Sequence, residues 1–364
     1  FGAACATASN EAALAPIFPA VLALGADKNA DVRTAASAAA KTFASSLSRP
    51  GVRLAIPAVV EVSRSSTKWQ VKLLCLEVLQ KLTKVAPSLF TRSLPGVVPE
   101  VSALMWETKK AVKKAATKTM KVACKAIDNK DLEPFVPALI SCINNPEEVT
   151  ECIHKLAATT FVQTVEAGTL ALTVPLLVRG FKERGITAIA LTRKCAVITE
   201  NMAKLVEEPR AALPFLPDLM PLLARAKEEI ADQECRQVCQ RAHELLVRIS
   251  DRCESEEVKA SEAKRAALIK AAGKALKSEY AGELCGSMVA DKIFTEAECV
   301  AALTPFAGEA AAKAVFAANA ELASAVDAAE EDEDDEEGED LCNCKFSLAY
   351  GSKILLNNAR LHLK

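Results

Sequence analysis

A proline returns along the chain at Pro19, Pro57, Pro99, Pro137, Pro175 and Pro217, at intervals of 38, 42, 38, 38 and 42 residues. Each stands near the start of a stretch with helical apolar spacing, as in Ile56-Pro57-Ala58-Val59-Val60, Val98-Pro99-Glu100-Val101, Val136-Pro137-Ala138-Leu139-Ile140 and Val174-Pro175-Leu176-Leu177. A period near forty residues accommodates two helices. Proline can start or bend the first of them, because its φ is fixed and it carries no N–H. The second half of most units opens with a polar turn and then a basic residue: Asp31-Val32-Arg33, Gln70-Val71-Lys72, Ala111-Val112-Lys113 and Thr192-Arg193-Lys194. The unit around Glu151 lacks that basic residue.

This is the helix-turn-helix grammar of HEAT repeats, with six units between about residues 10 and 250. Composition agrees: 51% of residues are apolar but only 4% aromatic. Ala and Leu, the strongest helix formers, dominate the apolar share, which argues against a sheet-rich fold. The predicted fold is all-α, a HEAT-repeat superhelical solenoid over 1–250 followed by a small helical bundle over 251–329. A single helix pair cannot bury its apolar face, so such units stack into a curved rod that offers a long surface to large partners and rarely houses chemistry.

Past Asp251 the forty-residue register is lost. Amphipathic stretches at Glu256–Leu276, Thr295–Leu303 and Pro305–Val326 predict a bundle of three or four helices, with Thr304-Pro305 reading as an N-cap and first helical position. Glu330–Asp340 then holds ten acidic residues and no basic one. Such a block cannot offset the entropy of ordering itself and reads as a linker. Outside it, 45 basic residues face 37 acids, a net +8 hidden inside a formal total of −2. In Cys344–Lys364 the period changes: Phe346, Leu348 and Tyr350 alternate with Lys345, Ser347 and Ala349, and Gly351-Ser352 interrupts before Lys353-Ile354-Leu355-Leu356. Two strands joined by a tight turn are predicted.

Thirteen cysteines, three histidines and no paired C-x-x-C units fit neither a zinc module nor a disulfide framework, so reduced, buried thiols are expected. There is no uncharged apolar run of the roughly eighteen residues a membrane span needs, and no membrane association is expected. The chain opens on Phe1 rather than Met, which reads as a fragment or a processed product.

The sharpest candidate site lies at Lys109–Lys125, where Lys109, Lys110, Lys113, Lys114, Lys118, Lys121 and Lys125 occur without one acid. At about 100° per residue all seven fall within half of the helix circumference. Ala111, Val112, Ala115, Ala116, Thr119, Val122 and Ala123 occupy the other half and are expected to pack. Seven like charges repel one another, and a phosphate backbone would relieve that through counterion release; the plainer reading is a solvated lysine face. Trp69 and Trp106 lie beside basic residues and could stack on a base, but their place near helix-to-helix turns favours packing anchors between repeats. Cys342 with Cys344, and Cys235 with Cys239, have the spacing of a shared face but no second pair nearby, so no metal site is assigned. His154, His243 and His362 have no nucleophile or carboxylate partner in the sequence, so no catalytic residue is assigned either.

Several segments carry a family resemblance: Thr67-Lys68-Trp69-Gln70, Met105-Trp106-Glu107-Thr108-Lys109-Lys110, Ile127-Asp128-Asn129-Lys130-Asp131, Ala157-Ala158-Thr159-Thr160-Phe161-Val162, Glu200-Asn201-Met202-Ala203-Lys204-Leu205-Val206-Glu207, and above all Gly338-Glu339-Asp340-Leu341-Cys342-Asn343-Cys344-Lys345-Phe346-Ser347-Leu348-Ala349-Tyr350-Gly351. In these the chain resembles fungal-type translation elongation factor 3, a family of ABC-F ATPases, over most of 60–250 and 338–364. The resemblance implies a cytoplasmic, monomeric, ribosome-dependent ATPase that promotes exit-site tRNA release during elongation. Its implied partners are rRNA and ribosomal proteins, tRNA indirectly, and the aminoacyl-tRNA delivery elongation factor. Its implied cofactors are ATP and Mg. Residues 341–364 would then begin an ABC nucleotide-binding domain, with Tyr350 placed where such cassettes stack an aromatic on adenine. No G-x-x-x-x-G-K-[ST] loop occurs in the chain, so the chain by itself is not expected to hydrolyse ATP. Two other readings stay open: a non-enzymatic HEAT scaffold for protein binding, and a related ABC-F factor acting in termination or ribosome assembly.

Overall fold

The computed structural model describes residues 11–184, 188–324, 342–350 and 353–363. Among them six helix pairs follow one another. The first joins α1 (Glu11–Leu14) and α2 (Phe18–Ala23) to α3 (Ala30–Ser46), the second is α4 (Arg49–Ser65) with α5 (Trp69–Val85), and the third joins α6 (Pro87–Thr91) and α7 (Leu94–Leu104) to α8 (Lys110–Lys125). The fourth is α9 (Val136–Asn144) with α10 (Val149–Ala157), the fifth α11 (Ala167–Lys182) with α12 (Ala188–Lys204), and the sixth joins α13 (Pro209–Ala212) and α14 (Leu216–Glu229) to α15 (Gln233–Cys253). These are HEAT-type repeats.

The recurring proline acts in two ways. Pro57, Pro99 and Pro175 sit inside the first helix of their repeats. Pro19, Pro137 and Pro217 occupy the first positions of α2, α9 and α14, each entered from a short 3₁₀ turn. In these three a second proline lies three residues earlier, at Pro16, Pro134 and Pro214, and a spacing of three matches the 3₁₀ period. The basic residue that opens the second helix also has a structural role. Arg33 donates to the carbonyls of Asp27 (2.8 Å) and Lys28 (3.0 Å), and Arg236 donates to those of Ile230 (2.6 Å) and Ala231 (2.9 Å), so each fastens the turn just before its own helix. Lys72 and Arg193 instead reach forward one repeat, to Glu107 and Glu234.

The chain divides into two compact units: residues 1–126 with 256–329, and residues 127–255 with 330–364. In the first unit α3, α5 and α8 pack in succession, and α4 and α7 lie behind them. Its remaining helices are α16 (Glu256–Ala275), α17 (Glu279–Ala290), α18 (Glu296–Ala307) and α19 (Glu309–Ala318), four where the sequence predicts three or four. They enclose a core of their own around Met288, Phe294, Cys285 and Leu303, yet α17 also packs against α4. Polar links tie the same surfaces together. Buried Glu11 accepts from Ser48 N (2.8 Å), Ser48 Oγ (2.9 Å) and Tyr280 Oη (2.7 Å). Buried Asp291 faces Arg53 (3.4 Å) and Arg92 (3.8 Å), and Arg49 pairs with Glu298.

Thr304-Pro305 does not open a helix, contrary to the sequence reading. Both residues lie in the last turn of α18, where Thr304 Oγ1 donates to the Val300 carbonyl at 2.6 Å. The break falls at Gly308, whose φ of +82° ends α18 and starts α19. A left-handed glycine is a stronger stop than a proline near a helix end, which forfeits little hydrogen bonding.

In the second unit α10, α12 and α15 repeat the succession of second helices, with α11 and α14 behind. Asn129 and Asp131 staple two of its loops. Asp131 Oδ2 accepts from the backbone N–H groups of Val162 (2.7 Å) and Gln163 (2.8 Å), and buried Asn129 accepts from Leu132 N (3.0 Å) while donating to the Thr164 carbonyl (3.3 Å). At the end of the chain β1 (Cys342–Tyr350) and β2 (Lys353–Leu363) pair antiparallel, from Cys342↔Leu363 to Tyr350↔Lys353, with register shifts near Leu348. The acidic linker expected at Glu330–Asp340 lies outside the described residues.

The α16–α17 crossing depends on Gly282. A Cβ there would stand 2.3 Å from the Ile269 carbonyl oxygen and 3.0 Å from Gly273 N, which is backbone and cannot swing aside. Gly282→Ala is therefore expected to destabilise the first unit by about 1–3 kcal/mol, read as a lower urea midpoint. At Gly273 an added Cβ meets nothing closer than 3.5 Å, so Gly273→Ala should be neutral or stabilise by up to about 1 kcal/mol.

Candidate nucleic-acid interface

α8 is the second helix of the third repeat, and its two faces differ sharply. Val112, Ala116, Thr119, Met120, Ala123 and Cys124 are buried and form the stripe that meets α5 and α7. At the centre of this seam Thr119 Oγ1 lies 2.9 Å from the Ala115 carbonyl and accepts from Gln80 Nε2 at 2.9 Å. The stripe is narrower than the half-circumference read from the sequence. Ala111 is exposed and Ala115 and Val122 are half-buried, while Met120 and Cys124 join the seam. Two neighbours converging on one side of a helix bury a stripe rather than a full half.

Lys110, Lys113, Lys114, Lys118, Lys121 and Lys125 lie on the helix and Lys109 caps it, and all seven are exposed. Among the described residues none of them forms an ion pair within 4.0 Å. The first turn holds no acid, whereas α3, α10 and α15 carry Asp31, Glu151 and Glu234 there. Lysines at a helix N-terminus oppose the helix dipole as well as one another. The face thus keeps a concentrated positive charge that the fold does not neutralise.

Beside it, Lys72 Nζ of α5 meets Glu107 Oε2 of the α7–α8 turn at 2.9 Å. The hydrogen bond from Lys72 holds the Glu107 carboxyl below the usual carboxylate range. Trp69 opens α5 and Trp106 lies in the α7–α8 turn, with 38% and 54% of their surfaces exposed. Neither is fully buried between repeats as a packing anchor would be; the buried apolar seam is filled by aliphatic side chains such as Leu76, Leu79, Val112 and Met120.

The remaining candidates separate cleanly. Of the ten cysteines whose burial is described, nine are buried and Cys253 is half-buried. Burial pushes the thiols of Cys75, Cys124, Cys152 and Cys239 up to about 12, so they are not nucleophiles at neutral pH. Cys235 and Cys239 sit in α15, where the Cys235 thiol donates to the Ile189 carbonyl at 3.7 Å. His154 Nδ1 lies 2.7 Å from Lys194 Nζ, and burial lowers the pKa of His243. No group of three or more His, Cys, Asp or Glu that could hold a metal occurs among the described residues, and none of their helices is long and apolar enough to cross a membrane. Tyr350 is the last residue of β1, paired with Lys353, and Cys342, Cys344 and His362 lie in the same two strands.

Two family descriptions match these repeats. "EF3 N-terminal HEAT repeat" covers residues 3–120 and "Elongation factor 3/GNC1 HEAT repeat" covers residues 147–257, together more than half of the chain. The chain belongs to the elongation factor 3 family. Elongation factor 3 of Phytophthora infestans is 40% identical over 97% of this chain, that of Gonapodya prolifera 37% over 95%, and elongation factor 3B of Saccharomyces cerevisiae 38% over 95%. These alignments cover 36%, 34% and 35% of those proteins, so the chain spans about a third of the length of the curated relatives it matches. The family match begins at residue 3, well before the first segment that carries the resemblance, Thr67-Lys68-Trp69-Gln70, and alignments covering 95–97% of the chain leave little room to omit α16–α19.

With nine described thiols enclosed, alkylation of the native chain at mild alkaline pH should modify Cys253 ahead of the other nine. Peptide mapping would detect this, and rapid labelling of Cys195 or Cys239 would contradict the packing described for α12 and α15.

Proposed function

We propose that this chain is the ribosome-engaging part of a translation elongation factor, and that the lysine face of α8 is its contact with ribosomal RNA. Membership of the elongation factor 3 family supports the first half of the reading, since the relatives carry that name. The observation that carries the second half is the set of seven exposed lysines on one helix with no acid among them. Phosphates would release their counterions there and relieve the repulsion, giving an interaction that holds RNA by its backbone rather than by base sequence.

In this reading the whole protein uses ATP with Mg2+ to promote exit-site tRNA release, alongside the aminoacyl-tRNA delivery factor, in the cytoplasm. In this reading the phosphates and the metal are bound mainly by other parts of the whole protein, since this sequence contains no G-x-x-x-x-G-K-[ST] loop. The contribution proposed for this chain is Tyr350, the last residue of β1, as the aromatic that stacks on adenine.

Replacing Lys113, Lys114, Lys118 and Lys121 with Glu should abolish most binding in co-sedimentation with eukaryotic ribosomes. It should also lower the slope of log affinity against log salt by about 3–4, roughly one per lost phosphate contact. Binding that is unchanged across the salt series would remove the lysine face from the ribosome contact. For Tyr350, a version of the protein that includes the cassettes should lose nucleotide affinity by roughly 5- to 100-fold on Tyr350→Ala, the usual worth of one stacked base. Equilibrium binding of a fluorescent ATP analogue measures it.

A further inference from the structure

The chain has two tryptophans, and both are exposed at one edge of the second and third repeats. Trp69 stands one helical turn ahead of Lys72 on α5, and Trp106 immediately precedes Glu107. The 2.9 Å Lys72–Glu107 bridge therefore clamps together the two backbone segments that carry the indoles. Each indole keeps a sizeable exposed surface, and the bridge places the two on adjoining segments.

The surroundings of the indoles select among partners. Thr67, Lys68, Thr108, Lys109 and Lys110 border them, and all five are exposed. A protein hot spot places its tryptophan in a pocket ringed by apolar contacts that exclude water. This rim is cationic and wet, and it runs directly into the lysine face of α8. An indole is a flat π surface that accepts any unpaired base, and cations beside it track the strand's phosphates. A paired duplex buries its bases and could use only the lysines.

We infer that Trp69 and Trp106 form a two-indole platform that stacks unpaired RNA bases at the edge of the α8 lysine face, so that the surface prefers a single-stranded or looped RNA segment over a duplex. The platform rests on the reading of α8 as an RNA contact and adds to it a selection of RNA by strandedness. The lysines supply affinity for any phosphate backbone; the indoles supply the preference.

Because the chain contains no other tryptophan, its intrinsic fluorescence reports on the platform directly. The test titrates the full chain with a short oligoadenylate and with a blunt RNA duplex of equal length, at several salt concentrations. The single strand should quench the fluorescence and bind more tightly than the duplex. Trp69→Ala and Trp106→Ala should each weaken single-strand binding roughly 5- to 100-fold while leaving duplex binding and the salt slope unchanged. Trp106→Phe should recover much of the loss, since a phenyl ring also stacks. Because each indole is partly covered by its own repeat, the alanine variants are compared at temperatures well below their unfolding midpoints, and Trp106→Phe, which keeps a ring at that position, separates stacking from stability.

If the alanine variants bind the single strand as tightly as the unaltered chain, or lose strand and duplex equally, the platform is overturned while the lysine contact stands. If they lose intact ribosomes but keep the oligoadenylate, the indoles dock on a ribosomal protein, and base stacking is again overturned. A chain that binds neither RNA at low salt overturns both the platform and the phosphate reading of α8.

Discussion

No helix pair in this chain can hide its apolar surface alone, and the architecture follows from that shortage. Each second helix must lie against the second helix of the next repeat, α3 on α5 on α8 in one unit and α10 on α12 on α15 in the other. The repeat length then reappears as the sequence separation of the polar contacts between neighbours. Lys41 meets Glu77 at 2.7 Å, Ser63 meets Glu100 at 2.8 Å, Gln80 meets Thr119 at 2.9 Å and Arg241 meets Glu200 at 3.3 Å. Buried carboxylates such as Glu100 and Glu200 are tolerable only because these partners are fixed by the stacking. The same commitment of one face to packing leaves the opposite face of each helix free of structural duty. On α8 that face carries seven exposed lysines along the helix, and those of the first turn also oppose the helix dipole.

The four helices α16–α19 show the limit of treating repeats as one-dimensional. They have a core of their own, but Glu11, Asp291 and Glu298 join them to the first repeats through groups separated by up to 269 residues in sequence. Several donors converge on Glu11 and two guanidinium groups converge on Asp291, and both carboxylates are buried. Removing any one of these acceptors would strand its donors, so the links act as a set.

Much of the fold was legible because it rests on periodicity. The proline recurrence located six helix pairs, and the absence of acids from Lys109–Lys125 identified the face that is exposed in the structure. The misreadings came where a residue type was given its commonest role. Thr304-Pro305 has the form of a helix start but lies in the last turn of α18, because Gly308 supplies the true break. Trp69 and Trp106 were read as packing anchors, yet aliphatic side chains fill the fully buried seams and both indoles keep a sizeable exposed surface. Asn129 and Asp131 were visible only as part of a family resemblance; their work as loop staples depends on Val162, Gln163 and Thr164, more than thirty residues away.

The sequence by itself determined the repeat count, the helical class and the lysine face of α8, because helix periodicity and local charge are properties of neighbouring residues. Only the tertiary structure decided that Lys72 and Glu107 clamp the two tryptophans to one edge, that Glu11 receives Tyr280, and that the α16–α17 crossing closes on Gly282. Those facts depend on which distant segments meet and how closely, and a one-dimensional pattern carries no record of such distances.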